Sequence, residues 1–242
     1  SIKKVLRPLL QMTHLEEVYL FHEITSFQAD FRHHHYYLLA LVSKESAKEV
    51  RRVFQKINEA LPPNLKFTII YHTRFWIQEN LYQSQYFLKT LMNNDHKIYT
   101  NDFHPKIHWG RDDDYRCDDS FIYHRRAKNI YERHLKRIER DEKSTMVFII
   151  PCDLNEYFVQ ILINSLYDTL GYLPEINDVE VLWNLSLYAH PVGTQLEEHL
   201  QKLSFDLIGY MSKNQKEKLP ALHLHQDEKK LLFDLIKRIK NI

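Results

Sequence analysis

The chain has 242 residues, 44% hydrophobic and 27% charged, enough for a globular protein to bury one large core or two small ones. Its 33 basic and 32 acidic side chains leave a net charge of +1, so no overall field draws in nucleic acid and any such contact must come from a local patch. Only four glycines are present, which argues against a Gly-rich phosphate loop and the close backbone approach it requires.

In chain order, Val5, Leu6, Leu9 and Leu10 give a short helical face. Val18–Phe21 and Tyr36–Val42 read as buried strands, rich in β-branched and aromatic residues. From Ser43 to Leu61 the spacing of Val50, Val53, Phe54, Ile57 and Leu61 predicts an amphipathic helix, stopped by Pro62-Pro63-Asn64. Lys66–His72 alternates as a strand, and a helix around Tyr86–Met92 and a short strand at Lys97–Tyr99 complete an α/β unit over residues 1–102. Residues 103–119, with Pro105, Gly110 and five aspartates, read as an acidic linker.

Beyond the linker the pattern is helical. Phe121–Arg140 carries Ala127, Ile130, Tyr131, Leu135 and Ile138 on one side. Met146–Leu170 is apolar through Phe158, Ile161, Leu162 and Leu166, and Gly171 fits a helix terminator. Pro151 falls inside that stretch, where it either kinks the helix or begins it, with Asp153 then in the first turn. Asn177 and Glu180 resemble a capping box for a helix ended by Pro191. Leu196, Leu200, Leu203 and Leu207 mark a fourth helix, and Leu231, Leu232, Leu235, Ile236 and Ile239 a fifth. The expected fold class is therefore α+β: an α/β domain followed by an all-α five-helix bundle over residues 120–242.

Cys117 and Cys152 form no CxxC motif and read as unpaired thiols of a reducing compartment. The longest apolar runs, Tyr36–Val42 and Met146–Ile150, fall far short of the ~20 residues that span a bilayer. Lys3 and Lys4 precede no apolar stretch of the secretory kind. A cytoplasmic protein without a membrane partner is expected.

VYLFHE at Val18–Glu23, HYYLLALV at His35–Val42 and YFLKTLMNNDHKIYTND at Tyr86–Asp102 resemble a bacterial nucleotidyltransferase-like domain. Glu156–Ser186 and the helix around Tyr210 resemble the HEPN helical domain fused to it. In active members of the first family a strand ends in Gly-Ser, which holds the triphosphate, and the next strand carries two metal-binding carboxylates. Here His22 and Glu23 stand at the Gly-Ser positions, His35 and Tyr37 at the carboxylate positions, and Tyr71 and His72 where a third carboxylate often lies. Imidazole and phenol do not supply the hard anionic oxygens that Mg²⁺ prefers. HEPN ribonucleases share an Arg-x4–6-His motif at a dimer interface. From Asp119 onward no Arg precedes a His at that spacing, and Arg7 with His14, which fit it, belong to the first domain.

The resemblance implies a pseudoenzyme, without cofactor. Its degenerate nucleotide cleft would be lined by His22, Glu23, His35, Tyr37 and Tyr71, and it would form a homodimer through the helical half. Binding of a nucleotide, RNA or a protein is the expected role, in the setting of toxin–antitoxin or defence systems. The alternative is a ribonuclease or nucleotidyltransferase that uses the substituted residues. Two further features bear on this. His33-His34-His35 offers transition-metal ligands, although only His33 and His35 share a strand face. Arg125, Arg126, Arg133 and Arg137, on a helix that also bears Tyr131 and His134, offer phosphate contacts, and a solvated amphipathic face accounts for the same charges.

Overall fold

A computed structural model describes residues 6–7, 15–28, 31–43, 47–101, 103–110, 129, 132–133, 136, 140, 148–149, 151–189, 197–198, 200–217, 219, 222–224 and 226–239. The chain divides into two compact units, Ser1–Tyr115 and Arg116–Ile242, with mixed α and β structure in the first and mainly helices in the second.

The first unit is built on a four-stranded mixed sheet in the order β3-β2-β1-β4. Strands β1 (Leu15–Gln28) and β2 (Phe31–Val42) form a long antiparallel hairpin. Helix α1 (Ala47–Ala60) carries the chain to β3 (Leu65–His72), parallel to β2, as a helical crossover allows. Helices α2 (Arg74–Glu79) and α3 (Leu81–Leu91) then lead to β4 (Lys97–Thr100), antiparallel to β1.

Strand alternation gives the sheet two apolar faces. Val18, Leu38, Ala40, Val42, Phe67 and Ile69 share a core with Val50, Phe54 and Ile57 of α1. On the other face lie Tyr19, Tyr37, Leu39 and Leu41, all buried, and Phe87 of α3 meets Phe21 edge-on at 5.8 Å.

Both hairpin strands run well past the apolar stretches that announce them. Their outer halves, HEITSFQ and FRHHH, carry no continuous apolar face in sequence and are joined by cross-strand pairing from His22↔Tyr37 to Gln28↔Phe31. The first part of the expected linker also has a place. Within residues 103–110, Pro105, His108 and Gly110 are hydrogen-bonded to side chains of α2 and α3, so this stretch belongs to the first unit. Of the expected N-terminal helical face, Leu6 is described and is buried; Val5, Leu9 and Leu10 lie outside the described residues.

The second unit contains α4 (Pro151–Leu170), α5 (Val179–Ala189), α6 (Leu207–Glu217) and α7 (Gln226–Ile239). A small antiparallel pair, β5 (Phe148–Ile149) with β6 (Leu222–His223), accompanies them. Helix α4 begins at Pro151, where a missing N–H costs nothing, so there is no proline kink. Its middle is buried on nearly all sides, from Leu154 and Tyr157 through Ile163 and Leu166, as befits a central helix. The cap of α5 is Asp178 and not Asn177: its Oδ1 accepts the Glu180 and Val181 N–H groups at 3.0 and 3.4 Å. Most of the expected Phe121–Arg140 helix lies outside the described residues, as does Leu196. The expected fourth helix through Leu207 is broken, because Glu197, Glu198 and Leu200 are helical but residues 201–206 are not, and Leu207 opens the separate helix α6.

Gly171 ends α4 with φ 61°, its N–H bonded to the Tyr167 carbonyl at 2.9 Å. Because a Cβ there is strained, Gly171→Ala is expected to cost ~1–2 kcal/mol, and Gly171→Asn less. Melting of the two variants checks this, and equal losses would mean the left-handed backbone is not the cause.

Candidate functional site

A register irregularity between Leu20 and His22 decides which side chains meet. The extra residue turns both Phe21 and His22 toward Tyr37, with ring centroids 6.0 and 5.4 Å away. His35, two residues before Tyr37 and so on the same face, stacks on it at 4.3 Å with planes 23° apart. Three of the five expected cleft residues, His22, His35 and Tyr37, are thus one ring cluster on the α3 side of the sheet.

Electrostatically the cluster is neutral. Burial, then the charges of Lys66 and His22, push the His35 pKa down to about 3. Its Nε2 lies 2.7 Å from Thr68 Oγ1 of β3, and the two share one hydrogen. Burial also lowers the His22 pKa. Tyr37 is fully buried and belongs as much to the core as to a surface.

Glu23 and Tyr71 are elsewhere. Glu23 pairs with Tyr36 and sits on the opposite face, its Oε1 3.0 Å from His34 Nδ1. His34 in turn stacks on Tyr36, 5.8 Å apart with the ring planes parallel to within 1°. Thr25 Oγ1 approaches the same Nδ1 at 3.3 Å. A hydroxyl and a carboxylate on one ring nitrogen cannot be relayed through the imidazole, so this trio is no nucleophile–base–acid arrangement. Tyr71 faces α1, packed edge-on to Phe54 at 5.6 Å.

These residues do not fit a magnesium pair. His35 and Tyr37 offer neutral rings in place of carboxylates, and His35 Nε2 is committed to Thr68. The one carboxylate, Glu23, is on the far face. Among the described residues no group of three His, Cys, Asp or Glu is placed to hold a metal ion, the histidine run included. Nor do His22 and Glu23 end a strand: β1 continues to Gln28, so their backbone lies within an antiparallel ladder where a phosphate cradle would need a loop.

Sequence reading missed a second cluster on the same face. Glu17, buried in β1, accepts hydrogen bonds from Tyr19 Oη at 2.7 Å, Lys97 Nζ at 2.7 Å and Arg74 Nη2. Arg74 also reaches Glu16 Oε2 at 3.0 Å and the Pro105 carbonyl at 3.0 Å. Burial alone would raise the Glu17 pKa, but the bonds from Lys97 and Tyr19 and the charge and bond of Arg74 outweigh it, and the net shift is downward. Two carboxylates facing two permanent cations are balanced in charge, as a structural tie between β1, α2 and β4 requires.

Of the expected phosphate contacts, Arg133 is exposed and helical, its Nε donating to the Asn129 carbonyl at 3.3 Å; Arg125, Arg126 and Arg137 lie outside the described residues. No helix among the described residues is long and apolar enough to cross a membrane. The chain matches no protein-family model, no curated protein and no solved structure.

Proposed function

We propose that the chain is a non-catalytic binding protein, in which a nucleotidyltransferase-like α/β unit without its phosphate chemistry is joined to a HEPN-like helical bundle. One observation carries the reading: His22 and Glu23, where the resemblance sets the triphosphate loop, are ladder positions of a strand that continues to Gln28. What the site offers instead is a neutral ring floor. Buried Tyr37 and partly exposed His35 support a partly exposed His22, beside the exposed Ile24. A planar base stacks on such a floor without needing charge, which suits a nucleotide or an unpaired RNA base. The helical half serves self-association and the setting is a toxin–antitoxin or defence system, both resting on the HEPN resemblance.

Melting the purified chain with ATP, GTP and a short single-stranded RNA, with and without Mg²⁺, tests it. A ligand of the folded state adds about 2.7 kcal/mol of stability at a hundredfold excess over its Kd. The expected result is stabilisation that does not need Mg²⁺ and is lost in His22→Ala. Magnesium-dependent AMP transfer would overturn the non-catalytic reading, and no stabilisation by any of the three would overturn the choice of ligand.

A further inference from the structure

The ring floor continues onto β3. Parallel pairing sets Lys66 opposite His35 and Thr68 opposite Tyr37, so all four share the α3-side face. The 2.7 Å approach of the Thr68 hydroxyl to His35 Nε2 agrees with that facing. Helix α3 covers the face as far as Phe21, which Phe87 meets edge-on. Beyond it solvent reaches the sheet: His22, His33 and His35 are partly exposed, and Ile24, Ser26 and Lys66 are exposed. This open part is a shallow platform three strands wide, with rings over β1 and β2 and an ammonium on β3.

Charge separates the ligands that such a platform can hold. Of the described side chains that the register places on its open part, Lys66 is the only permanent cation. After burial, the Lys66 charge is the next cause that keeps His35 neutral, so the ammonium acts close to the rings. A triphosphate tail brings several negative charges, and it needs loop N–H groups or a divalent ion to offset them. One ammonium, a compact point charge, matches one phosphate. Lys66 stands one strand from His35 and two from His22, roughly 5 and 10 Å at the backbone. A nucleotide whose base lies on the rings spans that interval with its ribose and first phosphate.

We propose that the platform holds one nucleotide unit bearing a single phosphate, its base on the His22 and His35 rings and its phosphate at Lys66. Such a placement rests on the base-stacking reading of the floor and adds which part of a nucleotide is held. The ligand is a nucleoside monophosphate, free or as one unit of a single strand, and the outer phosphates of ATP or GTP add nothing to binding. Every base has a stacking face, so the contact discriminates little between bases.

Titrating the full chain and its Lys66→Gln variant with adenosine, AMP, ATP and a single-stranded adenylate hexamer, without Mg²⁺ and at low salt, tests this. AMP should bind severalfold more tightly than adenosine, and ATP no more tightly than AMP. Lys66→Gln should abolish the gain of AMP over adenosine, leave adenosine binding unchanged (which also shows the variant folded), and Lys66→Arg should restore the gain. A hexamer bound more tightly than AMP per nucleotide, its salt slope reduced by about 0.7 in Lys66→Gln, identifies a single strand as the source of the unit. Equal binding per nucleotide identifies the free monophosphate. Adenosine bound, with AMP indifferent to Lys66→Gln, would overturn the phosphate's place and leave the stacking floor standing. ATP bound severalfold more tightly than AMP would overturn the single phosphate. No binding of any of the four would overturn the floor itself.

Discussion

Between pH 7.5 and pH 5 the chain is expected to lose about 3 kcal/mol of stability, with the loss setting in as the pH falls below ~6.5. Two histidines of the α/β unit account for it. His72 is buried, stacked on Trp76 at 4.0 Å with planes 12° apart, and burial pushes its pKa down to about 3. His35 is pushed to about 3 by burial, Lys66 and His22. An unfolded chain binds protons on both imidazoles near pH 6.5 while the folded chain refuses them, so stability is complete above that pH and falls toward the folded values. At pH 5, 1.5 units below the unfolded pKa, each fully buried imidazole costs roughly 2 kcal/mol, and the partly exposed His35 about half of that. Glu17, held below the ordinary carboxylate range, also loses stability in acid, but only below its unfolded pKa of ~4.3, so the two effects occupy different windows.

Denaturant midpoints measured at several pH values check this, and Trp76 emission reports the same site directly. His72→Phe keeps a ring against Trp76 and removes the titration, so its stability should depend on pH between 5 and 6.5 by less than half as much. Undiminished acid sensitivity in that variant would place the loss on other residues.

Much of the α/β unit was legible because its signals are local. Helix α1 announced itself through Val50, Phe54 and Ile57 at helical spacing, and all three are in the core. Strand β3 alternates through Phe67, Ile69 and Tyr71, which do face α1. Helix α2 left no such trace. Six residues, RFWIQE, are too short for a period, and the helix is set by Thr73, whose hydroxyl accepts the Trp76 N–H at 3.0 Å, and by the ties of Arg74. The outer hairpin was illegible for a different reason. Strand patterns are found by an apolar face, and HEITSFQ has none. The candidate site inherited that error: with β1 ended at Phe21, His22 and Glu23 look like neighbours in one loop, whereas the continuing strand sends them to opposite faces. Glu17, Arg74 and Lys97 could not be joined from sequence at all, because 57 and 80 residues separate the partners.

That cluster carries the second large effect. Arg74→Met is expected to cost ~2–4 kcal/mol, lowering the melting temperature by roughly 5–12 °C. The loss comes from what stays behind. The Glu17 carboxylate, 8% exposed, keeps Lys97 and Tyr19 but loses its guanidinium, and Glu16 and the Pro105 carbonyl lose a donor. Arg74→Lys should recover little, because a single ammonium cannot reach Glu16, Glu17 and Pro105 from three nitrogens at once. Removing the charges together is the decisive comparison. In the triple variant Glu17→Leu, Arg74→Met, Lys97→Met no buried charge remains unpaired, and Glu16, 18% exposed, can turn to water. The triple should therefore cost less than the sum of its three single variants by several kcal/mol, and no more than Arg74→Met alone. Strict additivity would mean that the three side chains act separately, and that β1, α2 and β4 are held by their apolar faces with the ion cluster only decorating the seam.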